Sequence, residues 1–135
     1  MKIGLISDTH SYFDPQLRSY FSDCDEIWHA GDFGTLKVAE QLEKIAPLRG
    51  VYGNIDGQDI RQEYPLHLRF KCEGIDVWMT HIGGIPGRYC LPIRKERCRC
   101  PRFPLRLLAG ATQCVPLLPR WFSKGNAPAV HPLQC

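Results

Sequence analysis

The sequence predicts an α/β fold whose first strands are parallel. Over residues 1–56, short apolar segments alternate with segments of helical spacing, in the order strand, helix, strand, helix, strand. Each apolar segment is followed at once by residues that carry carboxylate, imidazole or amide groups. This order is typical of a sheet whose polar loops gather at the carboxyl ends of its strands.

Local signals place each element of this alternation. The predicted strands are residues 2–7, 25–32 and 48–56, and the predicted helices are residues 14–24 and 35–46. Asp14 and Pro15 predict the N-cap and the first turn of the first helix. Pro47 ends the second helix, because proline cannot continue the backbone hydrogen bonding.

A β-hairpin is predicted after Pro65. Its strands are residues 66–70 and 75–81, which alternate or run apolar around the turn at 71–74. The second strand ends at His81, and the tryptophans at 28 and 78 are expected in the core because both lie within predicted strands.

Composition changes abruptly near residue 88. Residues 1–88 carry 9 Lys and Arg against 13 Asp and Glu, whereas residues 89–135 carry 8 Lys and Arg and one acid, Glu96. The second part also holds 5 of the 7 cysteines and 7 of the 11 prolines. The sequence therefore predicts a folded part at 1–88 and a basic Pro/Cys-rich tail at 89–135, disordered or out of frame, in which only 105–111 could form regular structure.

Several classes of protein are disfavoured by the same composition. No apolar run reaches the roughly 18 residues of a membrane span, and no signal-peptide pattern follows Met1, so we expect a cytoplasmic protein without a membrane partner. An odd number of cysteines argues against a disulfide framework, and Cys98-x-Cys100 is a poor match to zinc-site spacing. The tail arginines accompany no nucleic-acid motif, so no specific nucleic-acid partner is expected. Oligomeric state stays open.

Candidate metal ligands stand at four of the predicted strand ends. They are Asp8 and His10 after the first strand, Asp32 after the second, Asn54 after the third, and His81 at the end of the hairpin. Carboxylate, imidazole and amide donors together suit divalent ions such as Mn²⁺, Zn²⁺ or Fe²⁺. An aspartate between two such ions can bridge them, as in two-metal hydrolases.

The same residues carry a resemblance to a known family. The segments D-T-H at 8–10, G-D at 31–32, G-N-I-D at 53–56 and T-H at 80–81 resemble the motifs of the calcineurin-like metallophosphoesterases, in particular their small bacterial and archaeal phosphodiesterase branch. The resemblance covers residues 1–88. It implies a four-layer α/β/β/α sandwich, incomplete at the C-terminus here, with a dinuclear metal centre.

The resemblance also implies a role for each ligand. Asp8 and His10 would hold one ion, Asn54 and His81 the other, and Asp32 would bridge them. The ions would be Mn²⁺ foremost, with Zn²⁺, Fe²⁺ or Ni²⁺ as alternatives. The implied reaction is attack of a metal-bridging hydroxide on a small-molecule or nucleotide phosphoester, with Asp32, Asn54 and His81 as catalytic residues.

Three neighbouring polar residues receive simpler interpretations. Asp56, the last residue of the third motif, is expected to cap the turn that follows it. His29 and His67 match no motif and are expected at the edge of the core or on the surface.

The chain departs from the family pattern in two places. Ile55 stands where many relatives have a histidine that can protonate the leaving group. The late Gly-His-x-His motif is missing, because Thr112 and Gln113 stand where it is expected and His131 is the one histidine after His81. Metal binding and rate should therefore be weaker than in the family.

Two hypotheses follow from the missing motif. The first is a frameshift near codons 88–91, which predicts a Gly-His-x-His segment in another reading frame of the gene. The second concerns function: the alternative to a phosphoesterase is a catalytically silent protein-binding scaffold, as in the retromer subunit of this fold.

Overall fold

The structure, a computed structural model, describes residues 1–85, 88–89, 95, 106–111 and 131–134. Its strands are β1 (Lys2–Ile6), β2 (Glu26–His29), β3 (Leu48–Gly50), β4 (His67–Cys72), β5 (Ile75–Ile82), β6 (Gly84–Ile85), β7 (Arg88–Tyr89), β8 (Arg106–Ala111) and β9 (His131–Gln134). Its helices are α1 (Leu17–Tyr20), α2 (Leu36–Glu43) and α3 (Gln58–Glu63).

The first sheet confirms the parallel arrangement of the opening strands. Its order is β3-β2-β1-β9, with β1, β2 and β3 parallel and β9 antiparallel to β1. Pro132 lies in β9, which is the edge strand of this sheet among the described residues, and an edge is where the missing N–H of proline is tolerated. The carboxyl ends of β1, β2 and β3 therefore meet along one side of the molecule.

The second sheet contains the predicted hairpin. Strands β4 and β5 pair antiparallel, and β8 pairs parallel with the other side of β5. Strand β8 falls within residues 105–111, where the sequence left room for regular structure. Strand β9 (His131–Gln134) shows that the expectation of regular structure only at 105–111 of the tail is wrong, because pairing with β1 stabilises a strand that the local sequence does not signal. Most of the remaining tail lies outside the described residues, so its predicted disorder stays a prediction.

An apolar layer packs on each face of the first sheet. The layer between the sheets is built from Ile3, Trp28, Ala30, Val51, Val77 and Met79. A second layer joins the first sheet to the helices and contains Ile6, Leu17, Phe21, Ile27, Val38, Leu42 and Ala46. Gly4 permits this packing, because a Cβ there would lie 2.6 Å from the Phe21 ring. The result is a helix/sheet/sheet order, three of the four expected layers within the described residues.

The helices differ in detail from their predictions. Helix α1 has four residues and begins at Leu17, with Gln16 at its N-cap position. Asp14 instead accepts the Gln16 N–H at 2.9 Å, so it organises the turn that leads into the helix. Helix α3 was not predicted, since Ile60 is its one buried residue and six residues show no periodicity. Among the described residues, no helix has the length and apolar character needed to cross a membrane.

Candidate metal centre

Three loops at the carboxyl ends of β1, β2 and β3 form the candidate site. We call them the first loop (residues 8–11), the second loop (31–34) and the third loop (53–56). The first loop donates three backbone hydrogen bonds to the second: Asp8 N–H to Gly31 at 2.9 Å, His10 N–H to Asp32 at 3.1 Å and Ser11 N–H to Phe33 at 2.8 Å. These bonds extend the pairing of β1 with β2 beyond the strands, so the two loops form one unit.

The backbone of these loops is strained at the predicted ligands. Asp8, His10 and Asp32 have φ values of 58°, 47° and 60°, in the left-handed region that side chains with a Cβ rarely adopt. Such residues cost on the order of 1–3 kcal/mol each and persist only where the surroundings hold them. Three of the five predicted ligands therefore adopt an uncommon backbone conformation, and such residues often cluster at functional sites.

His81 presents one ring nitrogen to the site in a fixed state. Its Nδ1 lies 2.9 Å from the carbonyl oxygen of Ala30, and a carbonyl can only accept, so Nδ1 carries a proton. In the neutral ring Nε2 then has a free lone pair, 3.0 Å from Asn54 Oδ1 and 3.3 Å from Asp32 Oδ1. Three lone-pair donors converge here, and a cation is the group that such a set accommodates. Gly31 makes the approach possible, because a Cβ there would lie 2.5 Å from His81 Nδ1.

Asp32 lies at the centre of the cluster. While its Oδ1 faces His81, its Oδ2 lies 3.6 Å from His10 Nε2, which is also 3.9 Å from Asp8 Oδ1. Asp8, Asp32 and His81 can each offer one ligand atom within 4.8 Å of the others. The two oxygens of Asp32 thus face different histidines, which is the geometry that a bridging carboxylate requires. All five candidate ligands lie together, as the strand-end argument predicts.

Exposure differs sharply across the cluster. The side chains of Asp32 and His81 are 5% and 1% exposed, whereas that of His10 is 55% exposed. The cluster is therefore open on the side of His10 and of the exposed residues of the third loop, with Asp32 and His81 forming its floor.

His29 lies behind this floor. It is fully buried, so the expectation of a core-edge or surface position is wrong at this residue. Burial is the main cause that lowers its pKa from 6.5 to about 3. Its Nδ1 accepts the Gly31 N–H at 3.2 Å, so Nε2 carries the proton and donates to Thr9 Oγ1 at 3.0 Å; the Thr9 hydroxyl donates to the Phe33 carbonyl at 3.1 Å. His29 thereby ties the first loop to the second.

His67 and the tryptophans follow their predictions more closely. His67 is partly exposed on β4, with Nδ1 2.8 Å from Thr80 Oγ1, and partial burial lowers its pKa. Trp28 and Trp78 are each 3% exposed, as expected for core residues.

Asp56 does not cap the turn that follows it. Its carboxylate instead accepts three backbone N–H groups: Asp32 at 3.1 Å, Gly34 at 2.8 Å and Gly53 at 2.7 Å. The N-cap position of α3 belongs to Gly57, which makes no side-chain capping bond. The sequence held no signal for this role, because two of the three partners lie more than twenty residues away.

The residues that stand in place of the missing motif are only partly described. Thr112 and Gln113 lie outside the described residues. His131 is in β9, paired with Leu5 of β1, three positions before Asp8.

Comparison with known proteins identifies relatives for the first two thirds of the chain. The family model of the calcineurin-like phosphoesterase superfamily domain matches residues 1–99. A probable metallophosphoesterase of Methanothermobacter thermautotrophicus is 35% identical over 86 residues, 60% of this chain and 49% of that protein. A phosphodiesterase of Methanocaldococcus jannaschii is 39% identical over 64 residues, 43% of this chain and 38% of that protein. The chain spans about half the length, or less, of these curated relatives.

Solved structures match the fold over a longer stretch. An archaeal phosphodiesterase structure aligns with a TM-score of 0.56 at 23% identity, covering 76% of this chain and 68% of its own. The structure of Vps29 from Entamoeba histolytica complexed with Zn²⁺ also aligns at 0.56, with 15% identity and coverage of 79% and 63%. At these identities the likeness concerns the fold.

Proposed function

Because this chain belongs to the calcineurin-like phosphoesterase superfamily, we propose that it is a metal-dependent hydrolase of phosphoric esters. The observation that carries the proposal is the position of Asp32, whose two carboxylate oxygens face His81 and His10 respectively. Asp8 and His10 would hold one divalent ion, Asn54 and His81 a second, and Asp32 would lie between them. Mn²⁺ is the ion we expect first, with Zn²⁺, Fe²⁺ and Ni²⁺ as alternatives.

Each ligand side chain has its own role in this proposal. When bound, two such ions lower the pKa of a water molecule and stabilise charge on the attacking and leaving oxygens of a phosphoester. The Ala30 carbonyl accepts from His81 Nδ1–H, which leaves Nε2 as the ring nitrogen that would bind metal. Asn54 offers a neutral oxygen, which adds a ligand without adding negative charge toward a phosphate.

The substrate class follows from the open side of the site. Next to Asn54, the side chain of Ile55 is 45% exposed and has no proton to donate to a leaving group. Ile55 is held there because its N–H donates to Asp32 Oδ1 at 3.1 Å. We therefore expect small phosphoesters or nucleotides whose leaving group departs without enzymatic protonation.

Hydrolysis of bis-p-nitrophenyl phosphate tests the proposal, because p-nitrophenolate leaves without protonation. The wild type should hydrolyse it in the presence of Mn²⁺, and Asp32→Asn should lower kcat/KM by at least about 100-fold. Asp59→Asn is the matched control, since Asp59 lies in the first turn of α3 on the surface. Absence of turnover by a folded wild type with all four ions would refute the enzymatic function.

The scaffold alternative rests on a different observation. After His81 the chain has one histidine, His131, and no Gly-His-x-His segment. Metal binding without any turnover would favour this alternative, in which the fold serves to bind another protein.

A further inference from the structure

The three loops of the site are joined in two different ways. The first and second loops share three backbone hydrogen bonds, which do not depend on any side chain. The third loop meets the second through side chains: the Asp56 carboxylate and the bond from Ile55 N–H to Asp32 Oδ1. The position of Asn54 relative to the other ligands therefore depends on Asp56 far more than that of Asp8 or His10 does.

We propose that Asp56 is a positioning residue that sets Asn54 against Asp32 and so controls the ion site of Asn54 and His81. This inference rests on the proposed function. One carboxylate oxygen, Oδ2, accepts the N–H of Gly53 at 2.7 Å and that of Asp32 at 3.1 Å. A single atom thus joins the backbone of the residue before Asn54 to the backbone of Asp32, which carries the central carboxylate of the site.

The second oxygen completes the arrangement. Oδ1 accepts the Gly34 N–H at 2.8 Å, so both oxygens are engaged and the carboxylate cannot turn without breaking a bond. Gly34 in turn packs on the first loop, since a Cβ at this position would lie 2.3 Å from Ser11 N. Asp56 is 3% exposed, which places these bonds away from competing water.

Asp56 is itself anchored to helix α3. The Arg61 Nε donates to the Asp56 carbonyl at 2.7 Å, and its terminal nitrogen donates to the Asn54 carbonyl at 3.4 Å. The guanidinium lies 4.9 Å from the centre of the Tyr52 ring, which further restricts it. The third loop is therefore held at one side by α3 and at the other by the Asp56 carboxylate.

Substitutions at Asp56 should remove these bonds in graded steps. In Asp56→Asn one oxygen becomes an NH₂ group, which cannot accept a hydrogen bond. If the NH₂ replaces Oδ1, only the Gly34 bond is lost; if it replaces Oδ2, the bonds from Asp32 and Gly53 are both lost. Asp56→Ala removes all three bonds.

The expected effect on metal binding is unequal between the two ions. The ion of Asp8 and His10 should keep its affinity within a few-fold, because the backbone bonds between the first and second loops remain. The ion of Asn54 and His81 should bind on the order of 10–100-fold more weakly in Asp56→Asn, and more weakly still in Asp56→Ala, as when groups that orient metal ligands are removed.

Mn²⁺ titration followed by electron paramagnetic resonance measures this, with Asp59→Asn as the control and the Co²⁺ absorption spectrum as a report on ligand geometry. Weaker binding of only one of the two Mn²⁺ ions supports the inference, provided that the Co²⁺ spectrum changes and the melting curve still shows a folded protein. Equal affinities in Asp56→Asn and wild type, or equal weakening of both ions, would overturn it. If Asp56→Ala does not fold, Asp56→Asn decides.

Amide hydrogen exchange in the metal-free protein separates this inference from the proposed function. In the wild type the amides of Asp32, Gly34 and Gly53 should exchange slowly, and at least one should exchange faster in Asp56→Asn. Fast exchange of all three in the wild type would refute the link through Asp56. A wild type that binds no Mn²⁺ would refute the proposed function, and the exchange rates would then decide whether Asp56 joins the loops.

Discussion

Gly53 lies directly against the central carboxylate of the site. A Cβ at this position would lie 1.9 Å from Asp32 Oδ1 and 2.5 Å from Asp32 N. Gly53 is not among the glycines with positive φ in the described residues, so alanine meets no backbone penalty there. The main effect of Gly53→Ala should therefore be steric crowding of Asp32.

The size of the effect follows from these distances. Cβ atoms essentially never approach another heavy atom within 3.0 Å, so the contact at 1.9 Å requires a displacement of about 1 Å. Overpacking of this kind costs about 1–3 kcal/mol of folding free energy. A misplacement of about 1 Å at reacting groups lowers rates on the order of 100-fold. We expect Gly53→Ala to lose more activity than stability.

Three measurements on one preparation check this expectation. They are urea unfolding, Mn²⁺ affinity, and Mn²⁺-dependent hydrolysis of bis-p-nitrophenyl phosphate. Gly57→Ala is the matched control, because its Cβ would meet only the Asp59 carboxylate, at 3.0 Å, and that side chain is exposed. Wild-type Mn²⁺ affinity and rate in Gly53→Ala would refute the reasoning.

Three further predictions concern stability. Leu42→Ala should lower the free energy of unfolding in urea by about 2–5 kcal/mol, because Leu42 is fully buried. His29 has a pKa of about 3 when folded and 6.5 as its ordinary value, so the unfolded chain binds the extra proton and stability is lost as pH falls from 6.5 toward 3. The slope should approach about 1.4 kcal/mol per pH unit and be smaller in His29→Gln, as pH-dependent urea unfolding would show. Arg49 lowers the pKa of Glu26 below 4.5, so Glu26→Gln should cost at most about 1 kcal/mol at pH 7, and thermal melts should show this difference disappearing as pH falls below 4.

The location of the site could be predicted from sequence because strand ends carry it. In a parallel sheet the carboxyl ends of neighbouring strands meet at one edge, so Asp8, Asp32 and Asn54 had to be near one another once three strands were recognised. His81 lies one residue before the end of β5 in the other sheet and reaches the same edge, with its Nε2 3.0 Å from Asn54 Oδ1. Polar residue type and strand position together were sufficient for these four.

The supports of the site could not be predicted, because they depend on contacts between distant residues. Asp56 accepts hydrogen bonds from residues 22 and 24 positions away, and no local pattern distinguishes this from a turn cap. His29 follows an ordinary strand pattern, and only the folded structure shows that Gly31 and Thr9 engage both of its ring nitrogens. The left-handed backbone of Asp8 and Asp32 likewise occurs where the two loops bond to each other, a contact between residues more than twenty positions apart.

All of these supports lie in one continuous part of the chain. The five candidate ligands and the groups that orient them, from Asp8 to His81, fall inside the region matched by the family model. Two strands of the tail nevertheless support this region, because β8 pairs with β5, which carries His81, and β9 pairs with β1, which precedes Asp8. The absence of the late Gly-His-x-His motif should therefore weaken Mn²⁺ binding together with turnover, as a Mn²⁺ titration and an assay of bis-p-nitrophenyl phosphate hydrolysis on one preparation would show.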